Sequence, residues 1–426
     1  MENSQYQEEK LNDKVLIILA WLFGAFLGTN IVYVFSVGTT KFIISEVYSV
    51  ILFIYLFSFK KIKWKRICNA LQNSFILFCF SIVFSAIMVW VSFGKISLYY
   101  RYVVGIIMFF IAATAFVNII SLFEYRQYIS KGIALGLIIN VVICIIQYVM
   151  YQSGITFDYL YKIFVQDSFH LSIYNFGAQG MFLEPSHMIQ YIGSVLPIWI
   201  GVNWEKKWTC YIVLLLTILA CAFSGSGTSM VIYLTIGLFI IFSFKKFSRK
   251  VNIFSLLIVY VLLLAIIVGL FSEPIYQFFE KAYLELGQYI TLALQGSNVR
   301  DASNIERANS MIEALKLIPR YPLGCGWNMV HTLLEQETTL KVASAFSDLI
   351  EMILELGVIG VSFYVFMMIK LIIGCLKKYS REAIGIAISL IAVLIMQILA
   401  DYAINVCIMM ILGWAMCLLT DKNEQL

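Results

Sequence analysis

Apolar runs of about 18 or more residues recur from one end of this chain to the other, and no other feature limits its fold so strongly. A soluble domain has no way to bury so many runs of that length. The composition agrees: 61% of the 426 residues are hydrophobic and 13% charged, where soluble domains carry about 25% charge. The mean hydropathy is +0.88. The expected fold class is an all-α polytopic membrane protein.

Twelve spans of roughly 20 residues are expected, the length a bilayer requires. They cover 15–36, 42–59, 74–93, 98–120, 132–151, 184–202, 208–223, 228–244, 252–271, 346–374, 382–400 and 402–420. The first run, Val15 to Ser36, lacks a small-residue cleavage site and reads as a retained first helix. Only Asp401–Tyr402 separates the last two spans.

Lysine and arginine set the orientation. With the amino terminus inside, 19 of the 30 basic residues fall in the short inner segments, the densest at Lys60–Arg66 and Lys245–Lys250. Ten fall outside, although the outer loops are longer. Both termini are therefore expected in the cytoplasm. Two outer loops are long, Gln152–Leu183 and Ser272–Ala345. The domain expectation is one membrane unit over 1–426, with 272–345 forming an external cap between the ninth and tenth spans. Within the cap, "SNIE" (Ser303 to Glu306) fits a capping box, and Ile305, Ala308, Ile312 and Leu315 make an apolar stripe at helical spacing. Pro319 and Pro322 end that helix, and "GCG" (Gly324 to Gly326) forms a tight turn.

Several function classes are excluded. The nine cysteines are scattered, none at C-x-x-C spacing, so neither a disulfide framework nor a thiolate metal site is expected. No basic patch argues for nucleic acid, and no P-loop or inner domain could hold a nucleotide. An enzyme of this design would work on the outer face, where the driving force must arrive with the substrate. An activated lipid-linked donor is the obvious carrier, and arginine's planar fork suits its phosphate.

The polar candidates gather on that outer side. "GMFLEPSHM" (Gly180 to Met188) opens the sixth span. Pro185 suits a first helical turn, with Glu184 at or before the cap and His187 just inside. Glu184 is either a helix cap or a working carboxylate, since a helix amino end favours negative charge. Arg101 in "LYYRYVVG" starts the fourth span and either snorkels to headgroups or binds substrate. Arg307 stands off the apolar stripe, and Arg320 sits between prolines in "PRYPLGCG". All three histidines, His170, His187 and His331, lie in outer segments. Asp348, Glu351 and Glu355 share one face at the start of the tenth span, which favours a protein-lined cavity over lipid. "SGSGTS" (Ser224 to Ser229) is an outer turn, and Glu46 is expected to face the bundle interior without an assigned role.

These motifs, in this order, resemble the Wzy-type polysaccharide polymerases and the related O-antigen ligases. The strongest carrier is "RANSMIEALKLIPRYPLGCGWNMV", Arg307 to Val330, followed by "FLEPSHM" and "SDLIEMILELGVIGVSFYVF". "FSGSGTSMVIYL" stands where that superfamily often has a Ser-rich turn. The sequence departs at Gly227-Thr228, where an arginine is common, and at Ser347-Asp348, where ligases often have His-Asn. The resemblance covers about 90–375 and implies the glycosyltransferase C-type helical arrangement. It implies transfer of a growing glycan from polyprenyl pyrophosphate to another lipid-linked repeat unit, on the outer face of the plasma membrane, without metal or cofactor. Glu184 or His187 would take the acceptor proton, while Arg101, Arg307, Arg320, His331 and Asp348 would bind substrate. The implied partners are the polyprenyl-pyrophosphate-linked oligosaccharide, membrane lipid, a chain-length regulator and a flippase. A ligase would share the fold and differ in acceptor. A flippase for the same lipid-linked glycan is the reading from another class, although transporters tend to carry repeats and midplane charges.

Overall fold

The computed structural model describes residues 2–30, 32–37, 40–94, 99–153, 177–182, 184–224, 229, 232–233, 235–239, 302–338, 344–378, 380–399 and 406–420. In chain order, α1 (Glu2–Phe26) leads to a hairpin of β1 (Tyr33–Val37) and β2 (Thr40–Ile43). There follow α2 (Ile44–Ser58), the short α3 (Trp64–Ala70), α4 (Asn73–Phe93), α5 (Tyr99–Ser121) and α6 (Arg126–Gln152). The remaining helices are α7 (Pro185–Asn203), α8 (Lys207–Ser224), α9 (Ala302–Leu317), α10 (Val330–Glu337), α11 (Asp348–Lys377), α12 (Arg381–Leu399) and α13 (Val406–Thr420).

Among the described residues five helices are long and apolar enough to cross a membrane, and four shorter apolar helices accompany them. The chain is an all-α multi-pass membrane protein, with one small hairpin. Its core follows from which helices are apolar all round. In α7 every residue from Met188 to Gly201 is buried, and in α13 every residue from Val406 to Leu418. The helix α12 packs on α7, α13 on α5, α11 on both α12 and α4, and α1 on α6. The last pair meets backbone to backbone: a Cβ on Gly24 would lie 2.1 Å from the Ile129 carbonyl oxygen, and one on Gly132 2.0 Å from that of Trp21. Small residues let membrane helices approach in this way. By contrast α4 turns Phe80, Val83, Ile87 and Trp90 outward, as a lipid-facing surface requires.

The structure corrects three expectations. The span expected over 15–36 ends as a helix at Phe26, and its tail becomes β1, paired antiparallel with β2 in the register Val37 to Thr40. The cause is local: Gly28, Thr29 and Asn30 break the helix, the Asn30 N–H bonds the Met181 carbonyl at 3.1 Å, and a β-branched and aromatic run follows. Glu46 acquires a role there, accepting the Ile43 N–H at 3.1 Å where the hairpin enters α2. In the loop expected to be external, α9 begins at Ala302, ahead of the expected Ser303 cap. Its packed side is Ser310, Ala314 and Leu317, while Leu315 of the expected stripe is 47% exposed. The spans at 228–244 and 252–271 and the Asp401–Tyr402 break fall wholly or largely outside the described residues.

Contacts at the two ends of the bundle sort the connecting segments into two sets. At one end lie the basic turns: Lys63 pairs with Glu124 at 2.5 Å, and Arg126 with Glu382 at 3.1 Å. The Trp414 indole N–H donates to the same Glu382 oxygen at 2.7 Å, Arg126 lies over the Phe123 ring, and Arg381 lies over Trp204. At the opposite end lie the segment before α7, the end of α8, the 320–337 loop and the start of α11, again in contact with one another or with the helix ends beside them.

Candidate functional site

Helix α9 stops at Leu317 because Pro319 and Pro322 cannot continue it. The chain then turns with Gly324 N–H on the Tyr321 carbonyl at 3.0 Å and drives "GCGWN" between membrane helices. The Trp327 N–H donates to Ser85 Oγ of α4 at 3.1 Å, and its indole N–H to the Gly105 carbonyl of α5 at 3.2 Å. Asn328 Nδ2 donates to the Arg101 carbonyl at 2.9 Å. A small second core forms beneath, with Val89, Tyr102, Leu317, Cys325, Met329 and Leu333 among its buried members.

Helix α11 supplies the third wall by breaking. Gly357 has φ +72° and ψ 173°, a conformation that strongly favours glycine. The break releases the carbonyls of Leu354 and Glu355 from the helix, and the loop takes them up. Cys325 N–H donates to Leu354 at 2.7 Å and Gly326 N–H to Glu355 at 3.0 Å, while Val358 N–H donates to Pro322 at 3.1 Å. These three bonds give the released carbonyls and the Val358 N–H partners within the protein, as irregular backbone in an apolar setting requires. Two of the three carboxylates expected to line a cavity are spent on the same task. Glu351 accepts from Ala345 N–H at 2.9 Å and Ser344 Oγ at 3.1 Å. Glu355, 7% exposed, accepts from the Val330 N–H at 3.4 Å at the start of α10.

On this platform the loop residues meet Arg101. Its Nη1 donates to Thr332 Oγ1 at 2.9 Å and stands 3.8 Å from Glu335. The neighbouring His331 is exposed. Arg320 pairs with Glu337 at 3.4 Å while remaining 67% exposed. The Tyr321 hydroxyl also donates to Glu337, and burial followed by that carboxylate raises the phenol above its ordinary range. Burial, then the charge of Glu355, raises the Cys325 thiol well above its ordinary value. Arg307 lies on α9, and its side chain falls outside the described residues, as do His170 and Arg300 altogether.

A second group forms at the amino end of α7. Two amides of α6 fasten the segment before it: Gln147 Oε1 accepts from Gln179 and Gly180 N–H at 2.9 and 3.1 Å, and Asn140 Oδ1 from Met181 N–H at 2.8 Å. Glu184 then takes the cap position with extended backbone, yet its side chain makes no cap hydrogen bond. It is exposed and accepts from Ser186 Oγ at 3.2 Å. Its carboxylate is therefore left facing solvent by the helix it opens. His187 is half-buried one turn inside.

Asp348, buried at the start of α11, adjoins Ser347, whose hydroxyl donates to the Gln397 carbonyl of α12 at 3.2 Å. Gln397 Oε1 accepts from Tyr364 at 2.9 Å, and the adjacent Met396 lies against Gly193 of α7. Helix α12 thus supports both α7 and α11. Arg101, Arg320 and His331 share the loop junction; Glu184 and His187 share the α7 mouth; Asp348 lies on the α12 bridge. The expectations omitted Asn140, Gln147, Gln397 and the Gly357 break. Asn140 and Gln147 stand seven residues apart in an apolar helix, a signal for one buried polar face.

A multi-pass helical membrane protein with a polar loop keyed into one end of its bundle is the class these observations define. Residues 212–365, which include that loop and the broken helix, match the model of the O-antigen ligase family. That stretch is similar to the O-antigen ligase superfamily, in which the Wzy-type polymerases also stand. No curated protein matches the chain. Members of that family act on lipid-linked oligosaccharides in the membrane.

Proposed function

We propose that the chain is a polysaccharide polymerase, joining polyprenyl-pyrophosphate-linked repeat units on the outer face of the plasma membrane, with both termini cytoplasmic. The family match over 212–365 carries this reading. The basic end would then face the cytoplasm, in keeping with the excess of lysine and arginine there. Arg101, Arg307 and Arg320 would steady the pyrophosphate leaving group as its charge develops. Glu184, whose carboxylate is not used in capping, would take the proton from the acceptor hydroxyl, with His187 the second choice. His331 and Asp348 would complete the substrate contacts.

The second reading is a ligase that passes the same glycan to a different acceptor, favoured by the description of the matching family itself. Ser347-Asp348, in place of the ligase His-Asn, favours the polymerase. Deleting the gene and sizing the surface polysaccharide decides between them. A polymerase loss leaves single repeat units, a ligase loss leaves long unattached chains, and a flippase loss traps units inside.

A further inference from the structure

We propose that Glu355 is a positioning residue, a buried carboxylate that anchors the amino end of α10 from below and thereby sets where the loop holds Arg101. The inference rests on the reading of this junction as part of the transferase site. The first N–H groups of a helix have no partner within it and carry partial positive charge. At α10 Glu355 of the broken membrane helix meets the Asn328–Val330 stretch, its Oε1 accepting the buried Val330 N–H at 3.4 Å, while the Met329 N–H bonds the Gly326 carbonyl at 3.2 Å. The same three-residue stretch reaches Arg101, since Asn328 Nδ2 holds its carbonyl and Thr332, two residues on, accepts from its guanidinium.

Simple packing does not account for the carboxylate. Burying one is costly, and an apolar side chain of similar volume would fill the space as well or better. What an apolar side chain lacks is an acceptor for the buried N–H at the start of α10. With 7% of its surface exposed and its oxygens turned to the backbone, Glu355 is remote from a substrate hydroxyl; it acts through the placement of Arg101.

The test uses the full-length protein in detergent, treated with a bulky impermeant maleimide and read by peptide mass spectrometry. Cys325, buried beneath the turn, reports whether the loop is seated, and Cys407 in α13 reports the bundle. Glu355→Leu is expected to speed labelling of Cys325 about 10-fold or more, the scale of losing a buried hydrogen-bond acceptor, with Cys407 unchanged. In cells it is expected to abolish long polysaccharide at native protein level. Glu355→Gln removes the charge yet keeps an oxygen acceptor, so it is expected to keep Cys325 shielded and restore most chain growth. If Leu fails to accumulate, Glu355→Asp, which withdraws the carboxylate by one methylene, is expected to show the same opening and loss. Cys325 still shielded in the Leu or Asp protein overturns the proposal. So does full-length polysaccharide made by a protein with an open loop, or a Gln protein as impaired as Leu. Polysaccharide unchanged on deleting the gene would instead remove the functional reading, and the labelling result would stand without it.

Discussion

The two ends of the helix bundle are held by different chemistry. The basic end is fastened by its charges, with Arg126 and Trp414 sharing Glu382, Lys63 on Glu124, and cations laid on Phe123 and Trp204. The loop end is fastened by backbone and uncharged amides: Asn140 and Gln147 on 179–181, Gln397 on Ser347, and the Gly-Cys-Gly turn on the broken α11. There the structural carboxylates, Glu351 and Glu355, bind N–H groups rather than cations. The ion pairs of Arg101 and Arg320 at the loop end are long and exposed, and Arg101 also donates to the uncharged Thr332 at 2.9 Å. Where charge builds the structure it is consumed in pairing; where amides build it, guanidinium and carboxylate groups are left facing solvent. That contrast suits the anionic lipid-linked substrate proposed above.

The contrast can be broken most sharply at Glu184. Glu184→Gln is expected to cut turnover by ~10²–10⁴-fold, the range of general base catalysis, with expression and donor binding kept. Because the side chain makes no cap bond, Glu184→Ala should shift thermal stability by less than the ~0.5–2 kcal/mol of a lost cap. Full-length polymer from the Gln protein would end its catalytic role. Next come the arginines. Arg320→Ala, Arg307→Ala and Arg101→Ala are each expected to cost about 10²–10³ in turnover at native membrane level, as for other groups that stabilise developing charge. Lys should restore only part, having no planar fork. Normal chain growth in all three Ala proteins would reduce them to surface charges.

At the basic end the expected effect is on stability rather than turnover. Glu382→Ala leaves Arg126 and the Trp414 N–H without their shared acceptor and should lower the unfolding free energy by about 1–3 kcal/mol in a thermal melt. A melt that does not move would mean the pairing contributes nothing. Smallest of all, Glu337→Gln, opposite the exposed Arg320, should change stability by under ~1 kcal/mol.

Much of the fold was legible in the amino-acid sequence because hydropathy reports lipid and burial alike. The helices at 73–93, 99–121 and 185–203 lie within a residue or so of their expected limits. The hairpin was hidden, since Ile31–Phe35 is as apolar as a span and only β-branching marks it. The Gly357 break was hidden for another reason. "ELGVIG" reads as continuous helix, and it opens only because a loop some 30 residues earlier in the chain supplies donors for the released carbonyls. For the site, residue types were legible and their division of labour was not. Glu351 and Glu355 share a face with Asp348 in any helical register, but binding backbone N–H groups depends on a loop whose path no local pattern records.

The break in α11 also bears on where the loop is fastened relative to the membrane span. Gly357 lies nine positions into the helix, about 13 Å along it from Asp348. The loop's three main-chain bonds are made around this break, within the helix rather than at its end. When lipid thickness changes and the span tilts or slides to match it, the loop is carried along as ballast on a mast. The distance between loop and helix bundle is therefore fixed by the protein, while their joint height above the lipid varies with acyl-chain length.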